Sequence, residues 1–387
     1  MTPPAPSTAA GEATAFEEFR LEVRAWLTEN VPSPKLRSLD TADGFIAHQQ
    51  WERRLHDARL AVITWPEQYG GRGMSIEQWL VFEEEYWASG APARVSQNGI
   101  FLLAPTIFEY GTEDQKARFL PSMASGEQVW AQGWSEPGAG SDLAALRSKA
   151  RRVEGGWRVS GQKTWSSRAV YAHWIFGLFR TDPESARHHG LTYLLMPLDA
   201  EGITVRPIRQ FDGEAGFAEV FFDDVFVADM DVLGEIGQGW AVAMATTTSE
   251  RGLTLRSPGR FLAAARRLTA LFRAEGDHAD SAMAESVAQC WMDAEAYRLF
   301  VNATASRMRA GIPIGFDSSA NKVFWSQLDI RIHSLALDIL GERAYLTEGE
   351  HAEWLDGYQF ALAGPIYGGT NEIQRNIVAE RILGLPR

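Results

Sequence analysis

Three stretches of the 387-residue chain carry the side chains best suited to chemistry. In Gln132-Gly133-Trp134-Ser135-Glu136-Pro137-Gly138-Ala139-Gly140-Ser141-Asp142, small residues let the backbone approach a ligand closely, and Ser135 and Ser141 add hydroxyls. The amides of such a loop can donate to a polar ring or a phosphate. Read alone, the stretch also has the composition of an ordinary turn. The second stretch, Gly161-Gln162-Lys163-Thr164-Trp165-Ser166-Ser167, places a large rigid aromatic in a strand-like run. There Trp165 can cover the face of a planar ligand or serve as a core aromatic. Near the C-terminus stands Gly364-Pro365-Ile366-Tyr367-Gly368-Gly369-Thr370-Asn371-Glu372-Ile373-Gln374-Arg375. An acid such as Glu372 at a helix start is favoured by the helix dipole whatever else it does.

The elements that must position these residues change character twice along the chain. Apolar residues at helical spacing run from Ala15 to about Gln128, broken by the Gly-rich turn Trp65–Gly73 and again at Tyr110–Gln115, where Thr112 is the expected N-cap. From Val129 to Leu233 the period becomes that of strands, at Ala150–Val153, Trp157–Ser160, Trp174–Phe179, Leu191–Met196, Ile203–Ile208 and Ala218–Val227. Glu154-Gly155-Gly156 reads as the hairpin turn between the first two. Helices resume after Gly234, with spans expected near Gly239–Leu255, Pro258–Glu275, Ser281–Ala310, Ser318–Leu346 and Asn371–Leu383. Pro258 suits the first turn of a new helix. The pattern predicts an α+β fold with a disordered leader at 1–14, an α-helical domain at 15–128, a β-barrel-like antiparallel domain at 129–233 and a four-helix bundle at 234–387.

Composition narrows the function classes. A net charge of −13 without a basic cluster argues against nucleic acid or an anionic membrane as partner. Cys290 is the single cysteine, which excludes an internal disulfide framework and a thiolate zinc site. The eight His lack ligand spacing, and His188-His189 reads as part of a solvated loop, so no metal is assigned. Without a basic, apolar leader or a run of transmembrane length, the expectation is a soluble, cytoplasmic protein.

The three stretches, in this order and spacing, closely resemble those of acyl-CoA dehydrogenases, and the likeness covers most of the chain from Trp65 onward. The resemblance implies FAD as cofactor, with Gln132, Trp134 and Ser135 along the isoalloxazine. It sets Gly140 and Ser141 where flavin or CoA phosphates approach, Trp165 over a ring face, Ser167 where the family usually has a flavin-bonding Thr, and Thr370 and Glu372 near the cofactor. The family removes a proton α to a thioester carbonyl and sends the β-hydride to flavin N5. That chemistry needs a desolvated carboxylate base and donors for the enolate oxygen.

In most of the family the residue after the Tyr of the C-terminal stretch is the catalytic Glu, and here it is Gly368, which keeps only a backbone N–H for the oxyanion. Branches resembling isovaleryl-CoA and long-chain enzymes carry the base early in the C-terminal domain, just before an Arg. Here that site reads Thr248-Ser249-Glu250-Arg251, so the resemblance makes Glu250 the base and Arg251 a CoA contact. On spacing alone, Glu250-Arg251 also reads as a surface ion pair. Two segments that usually reach a neighbour's FAD pyrophosphate depart from the family pattern, at Phe272–Asp277 and Asp338–Arg343. Such loss resembles heterotetrameric branches acting on sterol side-chain CoA thioesters, in which a homologous subunit supplies those contacts, and a homo-oligomer is the alternative. The expected reaction is dehydrogenation of a branched or bulky acyl-CoA to the trans-enoyl product, with an electron-transfer flavoprotein as acceptor. Competing readings are a biosynthetic flavin oxidase, a dehydrogenase of carrier-bound acyl groups, or a non-catalytic partner subunit.

Overall fold

Helix α1 spans Ala9–Asn30, so the segment read as a disordered leader is helical from Ala9 on, where alanines and Glu12 favour helix. The computed structural model describes residues 9–250, 257–312 and 315–386, and side chains from residue 13 onward, those of 249 and 250 excepted. Next come α2 (Ala42–Asp57), α3 (Ile76–Ala88), a π-helical turn at Asn98–Leu103, α4 (Ala104–Tyr110) and α5 (Glu113–Ala124). Thr112 caps α5 as expected: its hydroxyl accepts from Gln115 N–H, and the Gln115 side chain accepts from Thr112 N–H.

The strands are β1 (Trp130–Gly133), β2 (Lys149–Val153), β3 (Gly156–Ser167), β4 (Trp174–Arg180), β5 (Leu191–Pro197), β6 (Ile203–Ile208), β7 (Phe217–Ala228) and β8 (Val232–Leu233). They form one sheet ordered β6-β7-β3-β2-β4-β5-β8, with β1 added beside β4. The Glu154–Gly155 turn joins β2 to β3, and Gly155 adopts φ 72°, which suits glycine. The sheet is antiparallel except where β1 and β2 each meet β4 in parallel. Parallel neighbours need long crossovers, and the 134–148 loop is part of the one from β1 to β4. Four-residue β1 carries no alternation, so its Gln132-Gly133 reads as loop in the sequence.

The chain closes with α6 (Gly239–Glu250), α7 (Pro258–Glu275), α8 (Ser281–Arg309), α9 (Asp317–Leu340), α10 (Ala352–Leu362) and α11 (Asn371–Ile377). Pro258 stands in the first turn of α7, after Ser257. The single helix expected to reach Leu346 stops at Leu340, where Gly341 turns to φ 56°. One core joins α1–α5 and α6 to one sheet face through Trp130, Phe176 and Tyr193. A second fills the other face around Trp157, Phe179 and Phe222, and a third lies between α7, α8 and α9. Cys290 is buried in that third core, and burial pushes its thiol up. Among the described residues no helix is long and apolar enough to cross a membrane.

Candidate functional site

Strand β1 delivers the 132–142 loop onto the sheet. Gly133 faces Gly177 of β4 in a parallel pair, and a Cβ on Gly133 would meet Ile175 Cδ1 at 2.9 Å, so a side chain here would have to displace Ile175. Gln132 Nε2 and Trp134 Nε1 are buried donors with no hydrogen-bond partner among the described residues. Buried donors left this way are costly. The Trp134 ring stands edge-on to Phe176 at 6.0 Å and to Tyr193 at 5.5 Å. Beyond it, Ser135 is half-buried, while Gly140 and Ser141 are exposed.

A buried ion pair clamps this loop to β3. Lys163 Nζ donates to Glu136 Oε1 at 2.8 Å and to the Leu178 carbonyl at 2.8 Å, and Glu136 also accepts from the N–H groups of Arg147 (2.6 Å) and Ser148 (2.9 Å). Burial pushes the Glu136 carboxyl up, but the Lys163 charge and the backbone donors outweigh it and hold it below the usual carboxylate range. Burial pushes the Lys163 ammonium down, and Glu136 opposes that shift. The sequence stretch includes both residues without marking them. A lysine at an inward position of a strand is the signal that points to them.

Two residues after Lys163, the β3–β7 register shifts and Trp165 takes φ 60° with 59 % of its surface exposed. A non-glycine residue in this region costs about 1–3 kcal/mol. Thr164 N–H donates to the Ser135 carbonyl at 2.9 Å, which joins the first two stretches directly. Ser167 is half-buried at the end of β3, opposite Phe217. Aromatic face, hydroxyls and orphaned donors together suit a planar heteroaromatic ring bearing carbonyls and ring nitrogens.

The C-terminal stretch is organised by α9 and not by the 132–142 loop. Gly368 and Gly369 adopt φ 65° and 80°, and the buried Gln374 amide donates to both their carbonyls at 3.1 and 3.2 Å. Gly368 N–H donates to no group among the described residues. Thr370 caps α11 by accepting from Ile373 N–H, and Asn371 Oδ1 accepts from buried Lys322 at 3.0 Å. Glu372 is exposed in the first turn of α11; its own backbone N–H, then Thr370 and Arg375, hold its carboxyl low.

Helix α6 packs on β4, β5, α4 and the π-helical turn. Its last residue is Glu250, whose side chain lies outside the described residues, as does all of Arg251. One turn earlier, Thr246 is fully buried between Thr106 of α4 and Tyr193 of β5. Neither of those two partners has any signature in the sequence.

Comparison with known proteins gives a consistent answer. Family models for acyl-CoA dehydrogenase N-terminal, middle and C-terminal domains match residues 14–127, 131–225 and 237–383. The acyl-CoA dehydrogenase IpdE1 of Mycobacterium tuberculosis is 41% identical over 381 residues, covering 96% of this chain and 98% of that protein. FadE26 of the same organism is 32% identical over 393 residues, covering 96% and 97%. Among solved structures, the Tcur3481-Tcur3483 steroid ACAD superposes with a TM-score of 0.86 at 28% identity over 100% of both chains. The ChsE4-ChsE5 complex from Mycobacterium tuberculosis does so at 0.85, with 30% identity over 99% of both. With all three domains matched in order on an α+β fold, the chain belongs to the acyl-CoA dehydrogenase family and is an FAD-dependent oxidoreductase acting on CH–CH bonds.

Proposed function

We propose that this chain is the catalytic subunit of a dehydrogenase that converts a branched or ring-bearing acyl-CoA to its trans-enoyl product, with Glu250 as the base. The observation that carries the reading is the register of α6. Residues four apart share a helix face, so Glu250 follows Thr246 on the face turned toward β5 and α4.

The remaining roles follow from chemistry and position. Gln132, Trp134, Ser135, Trp165 and Ser167 hold the FAD ring, and Gly140, Ser141, Thr370 and Glu372 lie toward its polar parts and the CoA phosphates. Ser141 and Arg251 contact CoA. FAD, when bound, accepts the β-hydride, and an electron-transfer flavoprotein reoxidises it. Gly368 N–H, free of any acceptor among the described residues, donates to the thioester oxygen as the enolate forms. Lacking a side chain, Gly368 also leaves room for a wide acyl group, in keeping with a structural neighbour described as a steroid ACAD.

A second homologous chain completes the assembly as a heterotetramer. Two segments that depart from the family's pyrophosphate-binding pattern are tied to each other, since Arg343 donates to Glu275 at 2.7 Å. That pairing occupies an arginine otherwise suited to phosphate.

The test is anaerobic flavin bleaching with butyryl-, isobutyryl-, octanoyl- and cyclohexanepropanoyl-CoA, using the wild type and Glu250→Gln. The branched or cyclic thioester is expected to bleach fastest. Glu250→Gln is expected to slow single-turnover reduction by about 10²–10⁴-fold with FAD content unchanged. An unchanged rate in Glu250→Gln overturns the assignment of the base.

A further inference from the structure

Three hydroxyls, one from each domain, meet inside an otherwise apolar core. Thr106 Oγ1 of α4 lies 2.9 Å from Thr246 Oγ1 of α6, and the Tyr193 hydroxyl of β5 lies 3.2 Å from the same atom. All three residues are buried, and Tyr193 shares its apolar core with Trp134, Phe176, Leu195 and Val242. Each threonine hydroxyl also lies within reach of the carbonyl four residues earlier, Thr106 of Leu102 at 3.0 Å and Thr246 of Val242 at 3.1 Å, so three hydroxyl hydrogens are shared among four contacts. Burial keeps the Tyr193 phenol protonated, so it can donate to Thr246.

Polar groups in such a core are costly unless every member is satisfied, and a satisfied network is directional where apolar packing is not. Sliding or rotating α6 by a fraction of a turn would break two hydrogen bonds at once. The same atoms touch both halves of the proposed chemistry. Tyr193 lies against Trp134, whose loop faces the cofactor, at an interplanar angle of 84°. Thr246 stands one helical turn before Glu250.

We propose that Thr106, Tyr193 and Thr246 are positioning residues that set the α6 carboxylate against the flavin-side loop. The proposal rests on the reading of Glu250 as base. None of the three hydroxyls touches substrate in this scheme. They fix the distance over which the α-proton and β-hydride depart together.

The test uses the FAD-loaded enzyme, co-expressed with its homologous subunit where one is needed, and whichever of the four acyl-CoAs above bleaches the wild type fastest. Thr246→Val keeps the shape and deletes the hydroxyl, Tyr193→Phe deletes the other donor, and Thr246→Ser retains the hydroxyl. Misplacement on the ångström scale costs up to about 100-fold, so Thr246→Val and Tyr193→Phe are expected to slow single-turnover flavin reduction by about 10- to 100-fold. KM and FAD content stay near wild type, and Thr246→Ser recovers most of the rate. A wild-type rate in both Thr246→Val and Tyr193→Phe overturns the proposal, as does a loss that Thr246→Ser fails to recover. Glu250→Gln, run alongside, separates the two ideas: if it reduces normally, the base reading fails. If it is dead while both hydroxyl deletions run at full rate, only the positioning role fails.

Discussion

Lys163 carries its amine into the sheet interior two residues before the strained Trp165, and Glu136 is its carboxylate partner there. Removing one partner of a buried pair leaves the other uncompensated, so Glu136→Gln is expected to cost about 3–5 kcal/mol near neutral pH. The pH dependence identifies the cause. The folded carboxyl is held below its unfolded value, so its contribution is complete above the unfolded pKa of about 4.3 and is lost as pH falls through the lower folded value. Urea midpoints of the wild type and Glu136→Gln should therefore differ most near neutrality and converge in acid, where a protonated Glu136 resembles Gln. A gap that stays constant down to the acid transition would mean that shape, not charge, holds the loop. Glu372 shows the contrast. Its carboxyl is also held low, but it is exposed and screened by solvent, so its substitution should change the acid dependence far less than Glu136→Gln does.

At the scale of elements, α11 and the two glycines before it act together. Thr370 accepts from Ile373 N–H at 3.3 Å, while Gln374 holds the Gly368 and Gly369 carbonyls from the next turn. Thr370→Ala should cost about 1 kcal/mol through loss of the cap and slow flavin reduction by releasing the turn that aims Gly368 N–H, whereas Thr370→Ser should do neither. A thermal melt and a single-turnover trace on each variant check both halves. Such local devices explain what could be read in the chain and what could not. The Thr112 cap, the Glu154–Gly155 hairpin and the Pro258 start are set by short-range preferences, and all three stand in the structure. Strand β1 and helix α10 were not legible, because four residues show no period and Asp356-Gly357 reads as a turn. In α10, packing of Trp354 against α7 and α9 overrides that preference. The 132–142 loop could be read from its composition. Its clamp at Lys163 and the Thr106–Tyr193–Thr246 junction depend on residues far apart in sequence, and no local pattern encodes them.

For the whole molecule the open question is what covers the C-terminal helices. Leu299, Phe300, Ile366 and Leu383 are exposed apolar side chains in that region, and exposed apolar surface marks association. Each copy carries a net charge of −13, so assembly from identical copies brings like charges together, and the opposition grows as salt is lowered. A homologous subunit with a different charge balance avoids that cost and can supply the pyrophosphate contacts that Arg343, held by Glu275, does not offer. Expressed alone, the chain should bind well under one FAD per copy and lose mass in sedimentation as ionic strength falls. Co-expressed with a homologous subunit, it should purify as a mixed tetramer with one FAD for each copy of this chain. A homotetramer that retains full FAD at low salt would show that this chain anchors the pyrophosphate with residues of its own, and Arg343→Ala would then test whether the pair with Glu275 breaks to do so.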